Sequence, residues 1–141
     1  MNLFTYGSLM FPEVWQRVVR GNYASRKAYV SGMRRFAVKD ELYPAVVEGK
    51  VEDRVDGVLY GGLNESDLML LDVFEGDQYV RQTVTVTLEG GETTQAEVYV
   101  FKAQFRNLLE DRDWDAGQFG LQYLQEFIQR EKDNFDLSRI D

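Results

Sequence analysis

The chain has 141 residues, of which 44% are hydrophobic and 13% aromatic, enough apolar material for a single globular domain spanning residues 1–141. Asp and Glu number 24 against 16 Lys and Arg, and the resulting net charge of −8 opposes binding to nucleic acids or to anionic membranes. The absence of His and Cys excludes disulfides, thiolate nucleophiles, His/Cys zinc sites and every Ser-His or Cys-His catalytic pair. Any proton transfer must therefore use a carboxylate, Lys, Tyr or the backbone.

The beginning of the chain carries no targeting pattern. The segment MNLFTYGSLM lacks the basic and apolar regions of a signal peptide, and no stretch approaches the roughly 20 apolar residues of a membrane span. The chain also has no internal repeat, low-complexity linker or phosphate-loop pattern. We therefore expect a cytoplasmic protein without a membrane partner.

Residues 3–10, with the sequence LFTYGSLM, predict a strand, a tight turn and the approach to a helix. Residues 3–6 are apolar and β-prone, a Gly-Ser pair interrupts them, and Pro12 is typical of the first position of a helix. The backbone amides of residues 7–9 then precede the positive end of a helix, where they can bind an anion or a polarised carbonyl. Taken alone, these residues are better explained as an ordinary surface turn between a strand and a helix, because such junctions are common in α/β folds.

The next part of the chain predicts one short helix followed by strands. Apolar residues recur at helical spacing from residue 12 to about 20. Gly57 lies inside a predicted strand, where a bulge or a close neighbour is expected. We interpret Arg34 and Arg35 as a solvated strand edge that discourages aggregation. The predicted strands cover residues 23–38, which form one long or two short strands, 45–47 and 54–62.

A second helix is predicted over residues 65–74, with Asn64 as its N-cap. The helix must stop at the glycine that follows Glu75, so this carboxylate lies at the C-terminal end. There the helix dipole and the nearby Asp72 carboxylate both raise the pKa of Glu75. If the site is also partly dry, such a Glu can accept and donate a proton near neutral pH. The alternative is an ordinary exposed Glu before a turn glycine.

A β-hairpin is predicted from residues 79–88 and 96–101. A two-residue turn at Gly90 and Gly91 would place Val84 opposite Glu97, an apolar residue against a polar one. One additional loop residue places Val84 opposite Val98 instead. We therefore predict a three-residue loop or a bulge.

The C-terminal part lacks a recognisable motif. Residues 103–118 are polar and are predicted to be irregular, with an acidic run at 110–113. Two adjacent rows of apolar residues at a spacing of four predict an amphipathic helix from about 116 to 131. The tail after Lys132 is expected to be loosely held.

Four segments together resemble the γ-glutamylcyclotransferase-like superfamily. TYGSLM, YPAVV, GVLYGGL and LDVFEGDQYVR occur in this order between residue 3 and about 101. The YGSL and D-x-F-E-G-x-x-Y-x-R signatures are specific in combination. The superfamily includes γ-glutamylamine cyclotransferase and plant relatives such as the avirulence-induced-gene-like proteins. The resemblance implies a mixed α/β (α+β) fold, with flanking helices around a small twisted barrel-like mixed sheet whose cavity is floored by the YGSL loop.

The resemblance also implies a reaction. The α-amine of a γ-glutamyl amide attacks the side-chain carbonyl of the same molecule, which releases 5-oxoproline and a free amine. Glu75 matches the family's catalytic acid/base, and the reaction needs no metal and no organic cofactor. The expected partner is a small-molecule γ-glutamyl substrate, and the sequence does not indicate an oligomeric state. The residues implied to contact substrate are Tyr6, Gly7, Ser8, Leu9, Tyr79, which is assigned to the cavity wall, and Arg81, which is assigned to ion pairing or carboxylate contact.

Several alternatives stay open at this point. The leaving amine is a free amino acid, the side-chain amine of γ-glutamyl-lysine, a polyamine, a peptide such as glutathione, or an acyl chain on a carrier protein. A non-catalytic domain that binds a small ligand in the same cavity is the second function considered. An interaction module that uses the acidic run at 110–113 is the third, and it ranks last because charge runs are usually solvated.

Overall fold

The computed structural model describes residues 1–134. Seven strands occur in this range, namely β1 (Leu3–Thr5), β2 (Ser25–Ser31), β3 (Met33–Ala37), β4 (Pro44–Glu48), β5 (Arg54–Tyr60), β6 (Tyr79–Leu88) and β7 (Thr93–Phe101). Five of them close a barrel in the order β1, β5, β2, β6, β7, and β3 pairs with β4. The helices are α1 (Pro12–Val18), α2 (Glu65–Glu75), α3 (Ala116–Gln118) and α4 (Leu124–Asn134), and short 3-10 turns cover Ser8–Met10 and Ala103–Leu108. The predicted mixed α/β (α+β) fold with a barrel-like sheet and flanking helices is confirmed.

Strand β1 closes the barrel because it pairs on both sides. It is antiparallel to β5, with Thr5 opposite Val58, and parallel to β7, with Leu3 opposite Glu97. Gly57 makes this closure possible, since a Cβ atom there would lie 2.1 Å from the carbonyl oxygen of Thr5. The close neighbour predicted at Gly57 is therefore the end of β1, directly before the YGSL loop.

The buried apolar residues form two clusters. One consists mainly of barrel-strand residues, among them Val30, Val55, Val86 and Val98. The other packs the helices against the barrel and includes Leu71 of α2. Burial of these apolar side chains is the main stabilising contribution to the fold.

Helix α2 has the predicted boundaries to within one residue. The side chain of Asn64 accepts a 2.8 Å hydrogen bond from the backbone amide of Asp67, and Gly76 ends the helix with a φ of 84° that favours glycine. The Asp67 carboxylate is buried and accepts hydrogen bonds from the backbone amides of residues 20–21, which ties α2 to the segment after α1. Glu75 is consequently held at the last position of a well-anchored helix.

The hairpin has the predicted loop length but a different register. The backbone amide of Leu88 donates to the carbonyl oxygen of Glu92, so the loop consists of the three residues 89–91. Val84 lies opposite Ala96, and Val98 lies opposite Gln82, so the predicted Val84–Val98 pair is wrong. The extra loop residue is Glu89 on the N-terminal side of the two glycines. Apolar residues still share one face, because Val84 packs against the cluster that contains Val98.

The C-terminal helix begins at Ala116, as predicted, and contains a π-helical turn at Phe119–Tyr123 before α4. Phe127 of α4 packs edge-on against Phe74 of α2, with 6.4 Å between the ring centroids. This contact brings α4 to the end of α2 that carries Glu75. The prediction of a loosely held tail concerns mostly residues outside the described range. No helix within residues 1–134 combines the length and the apolar character of a bilayer span.

Candidate active site

Glu75 and the YGSL loop line one cavity, although they are far apart in the sequence. The cavity has a volume of about 30 Å³ and lies between the end of α2 and the turn that follows β1. Members of both apolar clusters contribute to its walls. Glu75 and the YGSL loop, the two parts of the site that the family resemblance implies, therefore lie at the same cavity. The lining residues are Phe4, Thr5, Tyr6, Gly7, Ser8, Leu9, Tyr43, Pro44, Glu75, Tyr79 and Tyr99.

Close contacts hold the loop against β4 and β7. A Cβ atom on Gly7 would lie 2.8 Å from both Cδ and Cγ of Pro44, so only glycine allows this approach. The hydroxyl of Tyr6 donates a 2.6 Å hydrogen bond to the backbone carbonyl oxygen of Tyr99. The loop is thus positioned by packing on one side and by a buried hydrogen bond on the other.

Arg35 also holds the loop, so its interpretation as part of a solvated strand edge is wrong. Its Nη1 donates to the carbonyl oxygen of Tyr6 over 2.8 Å, and its Nε lies 2.8 Å from Oδ1 of Asp113. Arg34, by contrast, is exposed, as expected of an edge residue. The pattern of a strand cannot reveal this role, because both partners of Arg35 come from distant segments.

Several polar groups at the cavity have no hydrogen-bond partner within residues 1–134. They include the backbone amides of Ser8 and Leu9, which open the 3-10 turn. The hydroxyl of Ser8 and the carboxyl group of Glu75 also lack a partner in this part of the chain. The residues that carry these groups, Ser8, Leu9 and Glu75, all line the same cavity.

The pKa of Glu75 is raised from 4.5 to about 8. Burial is the largest cause, because the carboxylate loses hydration, and the negative charges of Glu131 and Asp72 follow. The sequence predicts the effect of Asp72, which lies one turn earlier on α2, but it does not predict Glu131 on α4. A carboxyl group with this pKa exchanges a proton near neutral pH.

We expect the raised pKa of Glu75 to make stability fall as the pH rises from about 5 to 8. The folded protein holds a proton that the unfolded chain, with a pKa of 4.5, has already lost. One proton changes the free energy of unfolding by at most about 1.4 kcal/mol per pH unit, and the effect is complete above the folded pKa. Urea unfolding across this range measures the slope. The Glu75→Gln variant should have a flatter dependence, and equal slopes for both proteins would contradict the raised pKa.

Three tyrosines form most of the remaining polar wall. The hydroxyl of Tyr79, which the sequence assigns to the cavity wall, donates a 2.8 Å hydrogen bond to the carbonyl oxygen of Pro44. The hydroxyl of Tyr99 donates over 2.7 Å to Oδ1 of Asp72. Tyr43 is only partly buried. Tyr43 begins the YPAVV segment, to which the resemblance assigns no role, and Tyr99 lies outside all four segments, so neither is predicted as a site residue.

Arg81 is not among the residues that line this cavity. Its Nε lies 2.8 Å from Oδ1 of Asp72, and its Nη1 lies 3.5 Å from Oε1 of Glu97. The predicted ion pairing of Arg81 is therefore present, with Asp72 and Glu97 as its partners. Arg81 instead compensates the charge of Asp72, the carboxylate that contacts Tyr99 and acts on Glu75.

A second cavity adjoins the first on the side of α4. It has a volume of about 150 Å³ and shares Ser8, Tyr43, Glu75 and Tyr79 with the smaller cavity. We call the smaller one the inner cavity and the larger one the outer cavity. The outer cavity is completed by Phe74, Phe127 and Glu131. Glu75 therefore faces both spaces.

The family of the chain follows from comparison with known proteins. Residues 3–116 match the model of the family described as gamma-glutamyl cyclotransferase, AIG2-like. The chain belongs to this AIG2-like family. A similar relative, AIG2-like protein C of Arabidopsis thaliana, is 33% identical over 135 residues, which cover 95% of this chain and 73% of that protein.

Solved structures with the AIG2-like fold agree with this assignment. A solution structure of an Arabidopsis thaliana protein has a TM-score of 0.70 and 26% identity, with 93% of this chain and 87% of that chain covered. A structure described as gamma-glutamyl cyclotransferase has a TM-score of 0.63 and 18% identity, with 94% and 86% covered, and it supports the fold alone. The resemblance inferred from the YGSL and D-x-F-E-G-x-x-Y-x-R signatures is confirmed.

The AIG2-like family match ends at residue 116, before the π-helical turn and α4. The inner cavity is therefore built from matched residues. Phe127 and Glu131, which complete the outer cavity, lie beyond the match. Part of the lining of the outer cavity therefore comes from the C-terminal helix, beyond the residues that match the family model.

Proposed function

We propose that the protein is a γ-glutamyl cyclotransferase that converts a γ-glutamyl amide into 5-oxoproline and a free amine. The observation that carries this proposal is the position of Glu75. Its unpartnered carboxyl group, with a pKa of about 8, lines the same cavity as the free amides of Ser8 and Leu9. An acid/base and a pair of oxyanion donors are the groups that this cyclisation requires.

In the proposed mechanism, Glu75 first removes a proton from the α-ammonium group of the substrate. The neutral α-amine attacks the γ-carbonyl carbon, and the amides of Ser8 and Leu9 stabilise the negative charge on the carbonyl oxygen. Glu75 then returns the proton to the leaving nitrogen as its bond to carbon breaks, and it takes up the second proton of the attacking nitrogen, which becomes the lactam N–H. That second proton passes to the released amine, which departs as an ammonium ion. No atom is gained or lost by the protein, and water is not consumed. Holding the substrate bent in attack geometry is a further contribution of the cavity.

Substrate entry requires the inner cavity to widen. Its volume of about 30 Å³ is smaller than a glutamyl group, since a single buried water already needs about 10–15 Å³. Tyr43 is the partly buried tyrosine shared by the inner and outer cavities, and it lies in the connection between β3 and β4. We infer that Tyr43 moves when substrate enters, because its segment lies outside the five strands of the barrel.

A panel of γ-glutamyl amides tests the proposed function. The purified chain is incubated with γ-glutamyl derivatives of amino acids, alkyl amines and peptides, and 5-oxoproline is measured by mass spectrometry. Release of 5-oxoproline above the rate without protein supports the proposal. Tight binding of a γ-glutamyl compound without turnover supports the non-catalytic ligand-binding alternative instead. If the chain shows no binding and no turnover, both hypotheses are refuted.

We expect metal chelators and thiol reagents to leave the activity unchanged. The chain contains no Cys to alkylate and no His to ligate a metal, and the proposed proton transfers use Glu75 alone. The measurement compares 5-oxoproline release before and after treatment with EDTA or iodoacetamide. Inhibition by EDTA that one divalent metal reverses would reveal a metal site formed by carboxylates and would contradict this prediction.

A further inference from the structure

The outer cavity lies where the leaving group of the proposed reaction must be. The leaving nitrogen receives its proton from Glu75, and Glu75 lines the outer as well as the inner cavity. If the glutamyl carbonyl contacts the amides of Ser8 and Leu9 in the inner cavity, the amine portion extends past Glu75 into the outer one. The volume of about 150 Å³ accommodates a short alkyl chain.

The walls of the outer cavity suit methylene groups and a cation. Phe74, Phe127, Tyr43 and Tyr79 provide apolar and aromatic surface. Aromatic faces pack against an alkyl chain and also attract an ammonium group. The four rings come from four different segments of the chain, so the lining is produced by the tertiary fold and not by one amphipathic stretch.

The outer cavity is lined by acidic side chains that have no basic partner within the described part of the chain. Glu131 completes the lining, and Glu41 lies close enough for its charge to act on both Glu131 and Tyr43. Within the described part of the chain, no Lys or Arg forms an ion pair with Glu131, Glu41 or Glu75. A partly buried carboxylate without a counter-ion costs free energy, and an ammonium group in the cavity would offset that cost.

We propose that the outer cavity binds the leaving group, and that Glu131 selects an alkyl amine with a second ammonium group at its far end. The inference rests on the proposed function and specifies its substrate class as γ-glutamyl derivatives of alkyl diamines. A leaving group with a carboxylate at the far end, as in an amino acid, is disfavoured because it meets Glu131. Glu131 acts in this account as a specificity-determining residue.

Binding of free amines tests the subsite without requiring turnover. Three ligands of equal chain length, 1,5-diaminopentane, pentylamine and 5-aminopentanoate, are titrated at millimolar concentrations into the full chain, and affinities are taken from ¹H–¹⁵N shifts. We expect 1,5-diaminopentane to bind roughly tenfold more tightly than pentylamine, and 5-aminopentanoate to bind most weakly. Glu131→Gln should remove most of this preference. Glu126→Gln, on the exposed side of the same helix, should retain it.

A second measurement compares kcat/KM for the γ-glutamyl conjugates of 1,5-diaminopentane and pentylamine, and again for Glu131→Gln. The ratio of the two kcat/KM values is used because the charge of Glu131 also acts on Glu75. Any change in the reactivity of Glu75 affects both substrates and cancels in the ratio. Equal affinities for the three amines, no binding at all, or a preference that survives in Glu131→Gln overturns the subsite. A binding preference without 5-oxoproline release supports the subsite and refutes the proposed function. Turnover without a binding preference supports the proposed function and refutes the subsite.

Discussion

Replacing Glu75 with Gln is expected to slow 5-oxoproline release about 100- to 10,000-fold while the melting temperature stays constant or rises. Gln keeps the shape of the side chain but cannot transfer a proton. Gln also cannot ionise, and burial, Glu131 and Asp72 all disfavour the ionised form of Glu75, so the folded state should not lose stability. Rate and melting temperature therefore respond in different directions, which a purely structural role does not produce.

Glu65→Gln is the matched control for this experiment. Glu65 lies exposed at the other end of α2, where the same chemical change does not affect the cavity. Its rate should stay within a small factor of the wild-type rate. If Glu75→Gln melts markedly lower, or turns over a confirmed substrate at the wild-type rate, Glu75 is not the acid/base and the mechanism is wrong.

The largest loss of stability is expected for Gly57→Ala. The new Cβ atom would lie 2.1 Å from the carbonyl oxygen of Thr5 and 2.7 Å from Cζ of Phe4, so β1 must move away from β5. Forcing an extra methyl group into such a contact costs about 3 kcal/mol, which corresponds to a melting temperature roughly 10 °C lower. Thermal unfolding followed by circular dichroism measures the change.

Gly61→Ala provides the control in the same region. A Cβ atom on Gly61 would lie 3.6 Å from Oδ1 of Asn2, which is ordinary van der Waals contact, and the backbone there has no positive φ. This variant should melt at or slightly above the wild-type temperature. Similar melting temperatures for Gly57→Ala and Gly61→Ala would show that β1 is not held as tightly as the structure indicates.

Local signals are sufficient to predict α2 and the position of Glu75. The amide-capping residue Asn64 and the positive φ of Gly76 set the two ends of the helix, and both effects operate within a few residues. The closure of the barrel is different, because β1 pairs with β7 across Leu3 and Glu97. No pattern within either strand indicates a pairing over so long a separation. The family resemblance, and not periodicity, implied the barrel.

The same distinction separates the predicted from the unpredicted parts of the site. Glu75 and the YGSL loop are visible as motifs, whereas Arg35, Tyr99 and Glu131 reach the site only through tertiary contacts. The error in the predicted hairpin register has a related cause. An extra loop residue on either side of Gly90 and Gly91 satisfies the alternation of faces equally well, so the pattern alone does not choose between them.

The most direct test of the proposed cyclisation is to identify the nucleophile that attacks the γ-carbonyl carbon. A γ-glutamyl amide that the protein turns over is incubated in ¹⁸O-labelled water, and the products are analysed by mass spectrometry. Intramolecular attack by the α-amine predicts 5-oxoproline without the label, formed in equal amount to the free amine, and no glutamate. Glutamate carrying ¹⁸O in its side-chain carboxylate would mean that water is the nucleophile and would contradict the cyclotransferase account.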